Sequence, residues 1–273
     1  MNRKLTYLVC ILAVMLVLSG CRKAAPQPAE EAVAPAAPET AATLTQAGVC
    51  LTFDDRNLAD WEAMLPVFDK YGAHVTFFIN GEIGPAEAER LKAIQTHGHA
   101  IGAHGLLHAN YRQCVKEKGM TPEEYAQADS LGQLEAFKAH GVPVTSYACP
   151  MSSRDATLDE LLKPHFRHIR SGAFLREGQR LADRDDVFVP IADVASHFYF
   201  NGKGIDKYPE NTQEMVDEAL ERAAARGELI VFYAHRIAPD PCSGHHIEPV
   251  EVERILQKGQ QLGLRFYSFD ELP

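Results

Sequence analysis

The stretch Val49-Cys50-Leu51-Thr52-Phe53-Asp54-Asp55 decides the fold. Its apolar residues read as a β-strand, and the strand stops at two adjacent carboxylates. In an α/β domain the carboxyl ends of strands are where loops gather and ligands bind. Side chains alternate along an extended chain, so Asp54 and Asp55 cannot both point the same way. One can grip a cation while the other stays free to take a proton. Taken alone, the pair reads more simply as an Asp cap on the helix that follows. The histidines downstream change its weight.

Outward from this strand the pattern alternates. Asp60–Tyr71 is helical, with Trp61, Met64, Leu65 and Phe68 on one face, and Gly72 stops it. Ala73–Ile79 is a strand, Pro85–Thr96 a helix ended near Gly98, and His99–Ala103 a short strand leading into His104. A helix over Pro122–His140 precedes a strand at Val144–Cys149, and Leu158–Lys163 is helical with Thr157 as its expected N-cap. Phe166–Arg170 is a strand, and residues 173–210 are poorly periodic apart from Val187–Ile191. A helix at Thr212–Arg226, a strand at Glu228–His235, a helix at Glu248–Leu262 and a strand at Arg265–Phe269 close the chain. Such alternation predicts an α/β fold with a mostly parallel sheet and helices outside. About seven units in one domain length favour a small or incomplete (β/α) barrel over an open sheet.

The N-terminus is of another kind. Arg3 and Lys4 precede the apolar run Tyr7–Leu18, too short to span a bilayer comfortably, which reads as a secretory signal. It ends in Leu18-Ser19-Gly20-Cys21, which resembles the lipobox of bacterial lipoproteins. That resemblance implies a signal peptide over residues 1–20, lipidation of Cys21 and a place in the bacterial cell envelope, on a membrane outside the cytoplasm. Residues 21–47 are the lipidated Cys and an Ala/Pro-rich tether without periodicity, and the catalytic domain is expected over 48–273. The formal charge of −10 becomes −12 when Arg3 and Lys4 leave with the signal, and there is no basic stripe, which argues against a nucleic-acid partner. A monomer is expected. Of the cysteines left in the domain, Cys50 and Cys149 lie in strand-like runs and read as buried free thiols. A disulfide among Cys50, Cys114, Cys149 and Cys242 stays open.

His104-Gly105-Leu106-Leu107-His108 carries two imidazoles four residues apart, a spacing that places both on one face of a helical turn. Two His and a carboxylate from another strand make a three-ligand site with an open fourth position, the arrangement of catalytic zinc. With 12 His in the chain the spacing alone is weak. The pair nevertheless sits at a strand's carboxyl end, as do Asp54-Asp55 and His235, which ends the run Leu229–Ala234. Three strand ends tipped with ionisable groups argue for a site.

The motifs resemble the polysaccharide deacetylase family, also called the NodB-homology domain or carbohydrate esterase family 4. Thr52-Phe53-Asp54-Asp55 matches its first motif, Gly98-x-x-Ile101-Gly102-x-His104-x-x-x-His108 its second, and the strand into His235 its last. Ser146-Tyr147-Ala148-Cys149-Pro150 resembles a Phe-Ala-Tyr-Pro form of its third. The resemblance covers residues 48–271 and implies a distorted, incomplete (β/α) barrel. It implies that Asp55, His104 and His108 hold one divalent metal, zinc ahead of cobalt, nickel or manganese. Asp54 would be the general base, His235 the general acid, and an acetylated polysaccharide the substrate. A backbone N–H near Tyr147 would help steady the oxyanion, and Tyr147 and Pro150 would line or support the site.

Three positions depart from the family pattern. Arg56 stands where Gly usually follows the second Asp, and Gly105 replaces the Ser or Thr that braces the loop after the first metal His. No Arg occurs in the third motif at Thr145–Pro150. Arg56 could supply the missing guanidinium to Asp54 or to an acidic neighbour, or point to solvent. Among smaller candidates, His197–Phe200 and Tyr208 read as residues packed under a loop before a sugar platform, and His245-His246 as a solvated turn before a rim over the site. The leading function is removal of acetyl groups from N-acetylated envelope or extracellular polysaccharide. An O-acetyl esterase of xylan type would use the same site, and a catalytically silent glycan-binding lipoprotein is the reading of another class.

Overall fold

The computed structural model describes residues 44–273. The expected signal peptide, the lipidation site Cys21 and nearly all of the tether lie outside the described residues. Strand β1 (Gly48–Asp55), helix α1 (Leu58–Tyr71), β2 (Thr76–Ile79), α2 (Pro85–Gln95) and β3 (Ala100–Ala103) follow in turn. After the loop that bears His104 and His108 come α3 (Tyr111–Lys118), α4 (Pro122–Tyr125), a π-helical turn (Ala126–Leu131) and α5 (Gly132–Ala139). The second half holds β4 (Ser146–Ala148), α6 (Ala156–Leu162), β5 (His168–Ala173), β6 (Phe188–Pro190) and β7 (Tyr199–Gly204). It ends with α7 (Gln213–Arg226), β8 (Glu228–Ala234), β9 (Arg236–Ile237), β10 (His246–Ile247), α8 (Pro249–Gln261) and β11 (Arg265–Phe266). Among the described residues no helix is long and apolar enough to cross a membrane.

Strands β1, β2, β3, β4, β5, β7 and β8 pair in that order, all parallel, and β8 returns to β1 to close the ring. The (β/α) barrel of seven strands read from the sequence is therefore present, and it is closed. Among the described residues four short strands lie outside the ring, of which β9 and β10 pair with each other. β11 pairs only with Gly48 and Val49, and β6 runs antiparallel against the start of β8.

The two-residue period of the strands sorts the core into two layers. From β1, Val49, Leu51 and Phe53 face outward to pack with Trp61, Phe68 and Phe77 beneath α1. Cys50 faces inward with Phe78, Ala148, Phe200, Leu229 and Val231, a separate apolar cluster that fills the barrel. Phe269, just before the C-terminus, plugs this interior against Phe78 and Phe200, and its N–H donates to Thr76 Oγ1 at 2.8 Å. Gly102 on β3 is required by this filling, because a Cβ there would collide with the Phe78 ring. Continuing the inward register from Cys50 through Thr52 brings Asp54 to the barrel's open mouth, above the plug.

Several local expectations change. The helix over 122–140 is interrupted by the π turn, and α6 is capped by Asp155, which accepts N–H groups of Thr157 and Leu158, rather than by Thr157. The expected strand Arg265–Phe269 shortens to β11, because the chain turns there into the plug. β7 arises inside the stretch read as poorly periodic. Gly202 and Gly204 dilute its strand signal, yet a Cβ at Gly202 would press on Arg170 Cδ at 3.1 Å. All four cysteines among the described residues are free thiols, and Cys50, Cys114 and Cys149 are buried.

Candidate active site

Asp55, His104 and His108 each bring one ligand atom into a group whose members lie within 4.8 Å of one another. His104 Nε2 stands 3.3 Å from His108 Nε2 and 3.9 Å from Asp55 Oδ1, and His108 Nε2 is 3.5 Å from the same oxygen. Three donors at these separations suit a divalent ion at their centre, with further positions left for water or substrate. The ring nitrogen left over on His104 is used as such a site requires. Its Nδ1 bonds to the carbonyl of Ala148 at 2.8 Å, which directs Nε2 inward. Burial pushes the His104 pKa down to about 4, so the ring is neutral and free to ligate. Asn80 Nδ2 donates to Asp55 Oδ1 at 2.9 Å and orients that carboxylate.

The helical turn expected for His104–His108 is absent. The segment is a loop in which Gly105 has φ +85° and His108 has φ +48°. The imidazoles converge because the backbone folds back on itself, not because a helix stacks them. Strain of this kind is concentrated at the mouth. The non-glycine residues with positive φ among the described residues are Asp55, the last residue of β1, and His108, Met151 and Ser152, which lie on segments that follow ring strands.

Asp54 is buried, and Arg170 of β5 reaches across the barrel to it. Its Nη2 donates to Oδ1 at 2.6 Å and to Oδ2 at 2.5 Å. The guanidinium lies over the Tyr233 ring at 4.6 Å and near Phe78 at 5.3 Å. Burial alone would raise the Asp54 pKa, but the charges of Arg170, His104 and His235 and the Arg170 hydrogen bond outweigh it and hold the carboxyl below its ordinary value. Arg56 therefore does not fill the place left by the third motif. It turns away from Asp54, donating to the carbonyl of Asn80 at 3.1 Å and pairing with Glu87 in the first turn of α2. β1 ends at Asp55 and the chain turns outward there, so a side chain at position 56 cannot enter the barrel, whereas the inward register of β5 delivers Arg170 directly.

His235 follows β8. Its Nδ1 bonds to Asp206 Oδ2 at 2.7 Å, and its own N–H donates to Asp206 Oδ1 at 3.0 Å. Burial would lower the imidazole's pKa, but the Asp206 hydrogen bond and the charges of Asp54 and Asp206 prevail, and it is raised. With Nδ1 committed to Asp206, Nε2 carries the transferable proton. His235 stands between two recesses. One, of about 540 Å³, is flanked by Phe174, Lys203, Tyr208 and Tyr233, and the other, of about 380 Å³, by Asp55, Asn80 and His108. His245 lines both, with its ring 4.9 Å from that of His235 and bonded to Tyr208. It is exposed on a bend, as the solvated-turn reading expects, and it also leans over the site. His246 is buried and bonds to Asp240 at 2.8 Å. Phe200 belongs to the barrel core, whereas Tyr208 is exposed at the cleft.

Tyr147 and Pro150 are both buried. Tyr147 is paired in the sheet with Ala103 and Ile169, and its hydroxyl donates to Asp129 at 3.2 Å, so it backs the His loop and does not touch the cleft. The amides of Cys149, Ser152 and Ser153 are engaged by the carbonyls of Arg170, Cys149 and Pro150.

Arg170, Asp206, Asn80 and Asp129 were not singled out from the sequence. Arg170 carried the clearest signal, a charged residue within a strand of an all-parallel ring whose neighbours are buried. Asp206 was hidden because the strand before it was not recognised.

Fold and side chains together define a (β/α) barrel with an Asp/His/His cluster, a buried carboxylate and a carboxylate-backed imidazole at the carboxyl ends of its strands. Residues 41–165 match the model of the polysaccharide deacetylase family. The fold is similar to that of peptidoglycan deacetylase PdaC from Bacillus subtilis, at 18% identity and TM-score 0.52 over 83% of this chain and 89% of that one. It is also similar to the catalytic domain of peptidoglycan N-acetylglucosamine deacetylase from Eubacterium rectale, at 18% identity and TM-score 0.50 over 84% and 91%. A third similar fold is the Xyl-CE4 domain of a multidomain xylanase from the hindgut metagenome of Trinervitermes trinervoides, at 14% identity and TM-score 0.50 over 83% and 89%. Among curated protein sequences none matches significantly.

Proposed function

We propose that this protein is a metal-dependent hydrolase that removes acetyl groups from an N-acetylated polysaccharide of the cell envelope or its surroundings. The observation that carries the reading is the division of labour between two ionisable groups. Arg170 helps hold the Asp54 carboxyl below its ordinary pKa, and Asp206 helps raise that of the His235 imidazole. Environments that push two titratable groups apart assign the base and the acid.

Asp55, His104 and His108 would hold the ion. When bound there, a divalent ion polarises the acetyl carbonyl and lowers the pKa of a water to about 7. Asp54 takes the proton of the attacking water. His235 then gives its Nε2 proton to the leaving nitrogen as the amide C–N bond breaks, releasing acetate and a free amine. An amine leaves poorly unless protonated, so the raised pKa of His235 favours an N-acetyl over an O-acetyl substrate. A complete set of Asp54, Arg170, His235 and Asp206 also speaks against a silent glycan-binding protein.

A polymer rather than a free monosaccharide is favoured by the mouth of the barrel. Leu107, Met151, Phe174 and Tyr208, exposed large apolar or aromatic residues, sit on loops after β3, β4, β5 and β7. Phe174 and Tyr208 flank the recess beside His235, and apolar sugar faces can pack on such groups. The work would be done at the envelope, with the domain held to a membrane by lipid on Cys21.

The test is acetate release by the purified domain from N-acetylated chitin- and peptidoglycan-type oligosaccharides and from O-acetylated xylan, with and without chelator. Chelator-sensitive release from the N-acetylated substrates is expected. Release from xylan alone would select the esterase, and binding without release the silent protein.

A further inference from the structure

The loop between the two candidate metal histidines is held from outside by one helix. Asp129, on the π turn between α4 and α5, is fully buried, and its Oδ1 accepts the N–H of Leu107 at 2.7 Å while its backbone carbonyl accepts the N–H of Leu106 at 3.0 Å. Its Oδ2 accepts the hydroxyls of Tyr125 at 3.0 Å and Tyr147 at 3.2 Å. Two consecutive amides in the middle of the loop thus end on a single residue, and that residue is itself fixed by two buried tyrosines. Four residues further on, Gln133 Oε1 accepts the N–H of His104 at 2.9 Å, and its Nε2 donates to the carbonyls of Ile79 at 2.8 Å and Gly81 at 3.0 Å.

The glycine at 105 belongs to the same construction. A Cβ built there would lie 2.5 Å from Asp129 Oδ2, and the φ of +85° disfavours any side chain. Position 105 is empty because the carboxylate occupies its space. The π turn is the second element, since π turns inside helices are frequent at functional sites. Here it carries the carboxylate that meets the loop, between two α-helical segments that pack normally.

We propose that Asp129 is the positioning residue of the metal centre. Its carboxylate pins Gly105–Leu107 so that His108, itself at φ +48°, is held with Nε2 facing His104 and Asp55. This rests on the reading that Asp55, His104 and His108 hold a divalent ion. Asp129 touches neither ion nor substrate and acts through His108.

The experiment measures zinc affinity by competition with a chromophoric chelator, and the visible spectrum of the cobalt-loaded protein. Asp129→Ala should bind zinc about 10–100-fold more weakly than the parent, the usual cost of removing a group that orients a ligand, and its cobalt spectrum should change. Asp129→Asn keeps an acceptor for the Leu107 N–H, and the two tyrosine hydroxyls can rotate to meet its amide, so it should restore affinity to within about threefold. In a His108→Ala background, Asp129→Ala should cost nothing further, because the ligand it positions is gone. Gly105→Ala, which displaces the carboxylate by its Cβ, should reproduce the loss and decides the matter if Asp129→Ala does not fold. Parent-like affinity in both Asp129→Ala and Gly105→Ala, or the same loss with and without His108, would overturn the proposal. A parent protein that binds no zinc would instead defeat the reading of the site on which it rests.

Discussion

Replacing Arg170 by methionine probes the electrostatics on which the proposed base depends. The Arg170 and Asp54 side chains are 2% and 4% exposed, so solvent screening does not dilute their interaction. Methionine retains much of the side chain's bulk but leaves Asp54 facing the barrel interior without its cation. Removing one partner of a buried pair costs about 3–5 kcal/mol. Burial, the largest influence on Asp54, would then prevail, and its pKa would rise above the ordinary 3.8 instead of lying below it.

The sign of the pH dependence follows. In the parent, the lowered pKa means that the pair stabilises the fold above about pH 3.8 and loses its contribution as pH falls through the lowered value. In Arg170→Met the ionised carboxylate is destabilising, and the penalty is relieved as pH falls. Urea unfolding of the metal-free proteins at pH 7 and pH 4 reads both effects, and the acid limb of acetate release should move to higher pH. The double variant Asp54→Asn/Arg170→Met isolates the pair, with an expected coupling of about 1–3 kcal/mol. A loss below about 1 kcal/mol, the range of exposed pairs, or one unchanged by Asp54→Asn, would refute the reasoning.

Asp206→Asn removes the carboxylate that helps raise the His235 pKa. The raised pKa of His235 places the parent's alkaline limb above pH 6.5, and the variant's limb should shift to lower pH while its acid limb stays in place. The protonated imidazole's contribution to stability is full below about pH 6.5 and lost as pH rises through its raised pKa, so Asp206→Asn should lose most stability at low pH, about 1.5–3 kcal/mol for a hydrogen bond to a charged group. His104→Gln should weaken zinc binding more than about 100-fold, beyond the loss from removing an orienting group, with acetate release falling in step. Gly102→Ala, whose Cβ would collide with the Phe78 ring, should destabilise by about 1–3 kcal/mol by overpacking the barrel. Its zinc affinity should be unaltered, a combination that thermal unfolding and chelator competition check.

The barrel was legible because its strands repeat one signal. Short apolar runs such as Val49–Phe53 and Leu229–Ala234 end at ionisable residues, and helical stripes such as Trp61, Met64 and Phe68 lie between them. β7 escaped because its two glycines answer to tertiary demands, namely room for Arg170 and Tyr233, and leave no local pattern. With β7 went Asp206, which is meaningful only when placed beside His235. Arg170 was assigned to its strand, but nothing local says that it crosses the barrel to Asp54. That pairing spans 116 residues and depends on the inward register of two strands. Asp129 and Gln133 read as ordinary polar positions of a helix, since a π turn has no strong sequence signature. Local physics thus marked Asp54, Asp55, His104, His108 and His235, while the groups that tune and hold them depend on ring closure.

Zinc-edge anomalous diffraction from crystals of the zinc-loaded domain tests the central claim most directly. One peak is expected, about 2.0–2.2 Å from an Asp55 carboxylate oxygen and from Nε2 of His104 and His108, with Asp54 still bonded to Arg170 rather than to the ion. A peak elsewhere, or an ion that recruits Asp54 away from Arg170, would contradict it.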